Sequence, residues 1–186
     1  DGLLDRILDQ PLGDLALHVL LEEPFHHGQR GLPLPETPDR HHFADFRVSL
    51  LDLPADLVRR KQVTASELVE IAISAIEALD PKLNAVRIRA FDMARARARK
   101  ALSGPFAGVP FLAKDLGLEW QGLPVRQGSR YFMSYVPAQD ADLARRWRQA
   151  GVVPLGRTNA PEFGLSVATE PKIHGIARNP WDAART

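Results

Sequence analysis

Gly104-Pro-Phe-Ala-Gly-Val-Pro-Phe-Leu-Ala-Lys-Asp115 is the stretch whose reading decides the fold class. A Gly-Pro turn opens it, Val109 to Ala113 is continuously apolar, and Lys114-Asp115 closes it with charge. A short apolar run bounded by a turn predicts a buried strand. Val152 to Leu155 reads as another strand. Upstream, Thr64-Ala-Ser-Glu67 has the spacing of a capping box, in which Thr64 and Glu67 each satisfy a free amide at a helix start. Leu68, Ala72, Ala75, Ile76 and Leu79 then form one face, and Glu67, Glu70, Ser74 and Glu77 the other. Asp80-Pro81 is expected to stop that helix. Val86 and Ile88 alternate with Arg87 and Arg89, the pattern of a short strand. A second helix is expected from Phe91 to Leu102, with Phe91, Ala94, Ala98 and Leu102 inside and the arginines outside. A third, capped by Asp140 or Asp142, would turn Leu143, Ala144, Trp147 and Ala150 inward and end at Gly151. Helices alternating with short apolar strands predict an α/β layered sheet.

The 186 residues suffice for one ordinary domain and its core. Apolar residues make up 45% and charged residues 25%, the balance of a globular chain rather than a disordered one. A net charge of +1 gives no whole-chain attraction to nucleic acid or anionic membrane. With no cysteine, a disulfide framework, a thiolate metal site and a cysteine nucleophile are all excluded, which fits the cytoplasm. No run approaches the length of a membrane span, and no secretory leader pattern is present. The chain begins at Asp1 rather than Met, so its true start is expected to lie upstream.

Charge divides the chain. Residues 1–45 hold nine acids, three arginines, no lysine and five of the six histidines, a net −6. The rest therefore carries about +7. With its Leu- and Pro-rich composition, 1–45 is expected to be a poorly ordered extension or linker, and 46–186 the domain proper. His26-His27 and His41-His42, with Asp39 and Asp45 nearby, raise a zinc reading. No spacing fixes those groups on a rigid element, so a solvated loop is expected and no metal site is assigned.

Lys114 is the ionisable residue of greatest interest. It ends an apolar strand, and strand ends in α/β sheets are where ligand crevices form. A lysine desolvated there loses affinity for its proton and can serve as a base. The plainer alternative is a lysine marking the strand's exit to solvent beside Asp115.

Four blocks decide between them: Gly104 to Asp115; Gly128-Ser129; Ala150-Gly-Val-Val-Pro-Leu-Gly-Arg-Thr-Asn-Ala-Pro-Glu-Phe-Gly164; and Asn179-Pro-Trp-Asp182. In letters, order and spacing they resemble the amidase signature family, from about Pro54 to Thr186. Glu119-Trp120, the Gly128-Ser-Arg-Tyr-Phe132 run and Glu170-Pro171 are similar to its 6-aminohexanoate cyclic dimer hydrolase-like branch. The resemblance implies the N-terminal portion of an α/β/α layered fold with a mixed sheet. It also implies a Ser–cis-Ser–Lys hydrolase of linear or cyclic carboxamides, with Lys114 in the lysine role. In that mechanism a neutral amine takes a proton from a bridging serine, which activates the nucleophilic serine. Backbone amides of a glycine-rich loop hold the oxyanion. The Gly/Ser-rich stretch carrying both serines should follow Asn179-Pro-Trp-Asp182, and the sequence stops before it. The expectation is therefore a fragment with one triad residue, inactive alone.

Thr158 to Gly164 resembles a segment that lines the acyl pocket, with Phe163 and Gly164 facing substrate. The alternative is a strand-to-helix turn in which Asn159 and Glu162 bond backbone. Gly128-Ser129 is expected to shape a turn behind Lys114. Neither Ser129 nor Ser166 has the context of a nucleophile. Arg95, Arg97, Arg99 and Lys100 could meet RNA phosphates, but without an aromatic platform a wet helix face is expected. The implied partner is a small amide, with no cofactor, nucleic acid or membrane. Two other readings remain open: part of the amidase subunit of a tRNA-dependent amidotransferase, or a non-catalytic binding or regulatory piece.

Overall fold

Residues 54–186 are described by a computed structural model; the expectations for 1–45, including the histidine pairs, lie outside the described residues. After a helical turn over 54–59 come α1 (Ala65–Leu83), β1 (Val86–Arg89), α2 (Phe91–Ala98), β2 (Pro110–Lys114), α3 (Asp142–Ala150) and β3 (Val153–Thr158). Short 3-10 turns cover Arg130–Phe132 and Glu162–Gly164. The sheet order is β1-β3-β2, with β3 antiparallel to β1 and parallel to β2. The expected α/β architecture with a mixed sheet is what forms. Among the described residues, no helix is long and apolar enough to cross a membrane.

The capping box holds as written: Glu67 N donates to Thr64 Oγ1 at 3.1 Å, and Thr64 N donates to Glu67 at 2.8 Å. The buried stripe of α1 is Val69, Ala72, Ile73, Ile76 and Asp80, rotated from the expected one, with Leu68, Ala75 and Leu79 half-buried. Asp80-Pro81 does not stop α1, which continues to Leu83 with Pro81 inside. Proline's fixed φ suits a helix, and so near the end it removes one bond without breaking the element. Closure comes instead from Asn84 in the left-handed conformation. Asp80 Oδ1 accepts from Ala85 N and Val86 N, both at 2.7 Å, which clasps helix to strand.

Helix α2 ends at Ala98, short of the expected Leu102; Ala94 and Ala98 are buried, while Phe91 and Leu102 pack at the edge of the core. Arg97 does not lie outside. Its guanidinium is partly buried and donates to Val152 O at 2.8 Å and Arg148 O at 2.9 Å. The last carbonyls of a helix need such donors. Neither aspartate caps α3, whose N-cap is Ala141 without a side-chain bond. Asp140 is already engaged by the Arg148 fork at 2.6 and 2.8 Å and by Gln121 N at 2.7 Å. Of the inward set, Ala144 is buried and Trp147 and Ala150 half-buried, but Leu143 is exposed. Gly151 does terminate the helix, at φ +94°.

Two apolar clusters flank the sheet. Val69, Ile73, Ile76, Val86, Ala94, Val153 and Leu155 join α1 and α2 to one face. Ala113, Leu118, Trp120, Leu123, Ala144 and Val152 join α3 and the loop after β2 to the other. Strand β2 shows the division: Leu112 packs with the first cluster, Phe111 and Ala113 with the second, as alternation requires. β3 is the central strand and is buried along nearly all its length. Gly156 makes its pairing with β1 possible, because a Cβ there would collide with Ile88 O.

Candidate active site around Lys114

Lys114 is the last residue of β2, its Cα opposite Thr158 at the end of β3. Ala113 before it is fully buried, and Lys114 itself is exposed. The parallel pair thus brings a buried strand to the surface at the position of the lysine.

Asp115, next in the chain, turns inward and is completely buried. Its Oδ1 accepts from Arg126 N at 2.7 Å and its Oδ2 from Gly128 N at 3.3 Å. His174 Nε2 stands 3.8 Å from Oδ2, an ion-pair distance too long for a hydrogen bond. Burial pushes the Asp115 carboxyl up, but the imidazole and the amides of Arg126, Gly128 and Gln127 outweigh it and leave the pKa lowered. Asp115 therefore acts as an anion that holds the 126–128 turn.

That turn seats the acyl-pocket candidates. Gly128, at φ +63°, lies so close to Ala160 O that a Cβ would meet it at 2.6 Å. Phe163 N donates to Gln127 O at 2.9 Å. A Cβ on Gly164 would meet Leu116 Cδ2 at 2.7 Å, two residues beyond Lys114. Phe163 has φ +52°, is 41% exposed and meets Phe132 edge-on at 6.2 Å between centroids. Lys114, Phe163 and Gly164 are thus connected through Leu116 and the Asp115-held turn. The segment also forms the expected backbone bonds at Asn159, whose Nδ2 donates to Asn84 O at 3.2 Å and Gly175 O at 3.1 Å. Ser129 is buried and accepts from Tyr131 N at 3.3 Å, while Ser166 Oγ accepts from Ala168 N at 3.2 Å. Both hydroxyls serve local turns.

Sequence reasoning missed three groups here: Arg157, Asn84 and His174. Arg157 on β3 is fully buried and donates to Pro124 O at 2.5 Å, Leu118 O at 2.6 Å, Lys114 O at 2.9 Å and Leu123 O at 3.3 Å. Burial pushes its pKa down to about 10 against the upward pull of Asp115 and Glu119, so it stays charged at neutral pH. Asn84 donates to His174 O and Ile176 O, both at 2.9 Å, and so holds the loop that brings His174 to Asp115. The available signal was Arg157 itself, a charge two residues past the apolar run Val152 to Leu155, in a strand that continues to Thr158. Of the basic cluster, Arg97 turns inward to serve α3 and Arg95 forks onto Glu70 at the surface at 2.8 and 2.9 Å, while Arg99 and Lys100 are exposed.

A family model described as Amidase matches residues 67–186. The chain is 44% identical over 135 residues to 6-aminohexanoate-cyclic-dimer hydrolase of Paenarthrobacter ureafaciens, across 71% of this chain and 27% of that protein. It is 36% identical over 137 residues to a glutamyl-tRNA(Gln) amidotransferase subunit of Syntrophobacter fumaroxidans, across 70% of this chain and 28% of that protein. A solved structure of 6-aminohexanoate cyclic dimer hydrolase complexed with substrate matches at TM-score 0.68 and 41% identity. That match covers 72% of this chain and 28% of the other. The chain thus spans just over a quarter of the length of these relatives. With the family model matched over residues 67–186 and the fold shared at TM-score 0.68 and 41% identity, the chain belongs to the amidase signature family.

Proposed function

We propose that this chain supplies the lysine-bearing part of an enzyme that hydrolyses carboxamide C–N bonds, with Lys114 as its base. The observation that carries the reading is Lys114's position at the exit of β2, above a carboxylate and a guanidinium that are both buried and hydrogen-bonded. Rigid support of this kind is what a proton-transfer group needs, since small misplacements of reacting atoms cost large factors in rate. In the mechanism implied by the family, neutral Lys114 takes the proton of a bridging serine, which takes that of the nucleophilic serine. The nucleophile adds to the amide carbonyl, the amine leaves with a proton, and water releases the acid from the acyl-enzyme. Phe163 and Gly164 would border the acyl group. Likeness to the cyclic-dimer hydrolase at 44% identity supports a linear or cyclic amide as substrate. The 36% likeness to the amidotransferase protein supports the second reading less strongly.

Both serines belong to a Gly/Ser-rich block that residues 1–186 do not contain. The 186-residue chain alone should take no stoichiometric label from a serine-directed fluorophosphonate, whereas clean labelling of one of its serines would contradict this assignment. In an enzyme that also carries that block, Lys114→Ala should abolish turnover while the thermal melt stays near wild type. Near-wild-type turnover by folded Lys114→Ala would overturn the role.

A further inference from the structure

We infer that Arg157 is a positioning residue for Lys114, fixing the exit of β2 through the carbonyl of Lys114 itself. The inference rests on the reading of Lys114 as the reactive amine. Arg157 sits on β3 with its Cα opposite Ala113, one step before the Lys114–Thr158 pair. Its side chain donates to the carbonyl of Lys114 at the strand end and to those of Leu118, Leu123 and Pro124 in the first part of the loop that follows. Each of these four bonds ends on backbone rather than on a carboxylate.

A buried cation without a hydrogen-bonded anion is a costly way to fill space, and an apolar side chain of similar size often serves stability better. What an apolar side chain cannot do is bring several carbonyls to one point. The guanidinium is planar, with donors in a fixed fork, so it sets the directions as well as the distances of the groups it binds. Asp115 secures the same exit from the other side: its N donates to Thr158 O at 3.3 Å while its carboxylate holds Arg126 N and Gly128 N. Lys114 therefore leaves a backbone pinned at its own carbonyl and at the next residue. Its stem is flexible, so the direction of its amine depends on that fixed base.

The test uses Arg157→Met and Arg157→Lys in the complete enzyme, with three readouts: the thermal melt, kcat and KM, and site-resolved acetylation of Lys114 and Lys82 against pH. Methionine fills the volume without donors; lysine keeps the charge and three donors. A positioning role predicts that Arg157→Met stays folded and loses about 100-fold in kcat with KM within about twofold, the scale of a misplaced reacting group. Arg157→Lys, which keeps the charge but lacks the planar fork, should recover only part of that loss. The acetylation profile of Lys114 should change in Arg157→Met while that of Lys82 does not. If Arg157→Met fails to melt cooperatively, Arg157→Gln, which retains two amide donors on one nitrogen, replaces it. A folded Met or Gln variant with wild-type kcat and a wild-type Lys114 profile overturns the inference. A wild-type enzyme inactive on every amide would refute the proposed function instead. The Lys114 profile alone then decides, a change supporting the positioning role and its absence overturning it.

Discussion

Residues 114–128 and residues 165–186 both border the site, and they are held by different forces. The first stretch is internal: Asp115, Leu118, Trp120, Leu123 and Val125 are buried, and Arg157 and Asp115 satisfy its backbone from two sides. The second leaves Leu165, Val167 and Trp181 almost wholly exposed and relies on local turns such as Trp181 N to Asn179 Oδ1. It is tied to the domain by Asn84, Asn159 and the approach of His174 to Asp115. The lysine's support is therefore built within 114–128 and by Arg157 on β3, whereas the later stretch adds little to the core. Substitutions should act very unequally on the two.

The sharpest break is at the strand that both faces share. Gly156→Ala forces a Cβ onto Ile88 O, so β1 must part from β3. We expect a loss of about 3 kcal/mol in denaturant unfolding, at the upper end for overpacking. A loss below about 1 kcal/mol would show that β3 is less constrained than its neighbours indicate.

Next comes Asp115→Asn, which exchanges an anion for a neutral amide among buried donors; the expected cost at pH 7 is about 2 kcal/mol. The sign with pH follows from the lowered pKa. Asp115 stabilises the fold above its ordinary 3.8, and the contribution is lost as pH falls through the lower folded value. Wild type and variant should therefore converge in stability at the acid end. A difference independent of pH would assign the effect to shape alone.

These two positions also mark what the sequence made legible. Thr64 and Glu67 were readable because a capping box is a local contract between residues three apart. The strand at Val109 to Ala113 was readable because an apolar run closed by Lys114-Asp115 has few other uses. Helix ends were less so. Pro81 was outvoted by Asp80 and Asn84, whose partners lie across the helix-to-strand junction. Asp140 was drawn from capping by Arg148, eight residues away. At the site, the placement of Lys114 on a strand end came from pattern, but the devices that hold it did not. Arg157 reaches carbonyls more than thirty residues earlier, and His174 meets Asp115 only because Asn84 holds its loop. No local spacing encodes such distant pairings.

Smaller effects sharpen the same contrast. Thr64→Ala removes one cap from a well-packed helix and should cost about 1 kcal/mol, read from the shift in denaturant midpoint. Trp181→Ser, in the exposed stretch, should change stability by no more than about 0.5 kcal/mol. A larger loss there would mean that 165–186 is integral to the core and would erase the distinction.

The central claim is that Lys114 acts as a base and not merely as a positive charge. Arginine separates these roles, because an always-charged guanidinium cannot accept the proton. The decisive measurement is steady-state amide hydrolysis by Lys114→Arg in the complete enzyme, beside Lys114→Ala and with a melt on each. The account predicts folded variants in which Lys114→Arg is nearly as inactive as Lys114→Ala. A folded Lys114→Arg enzyme turning over near the wild-type rate would contradict it.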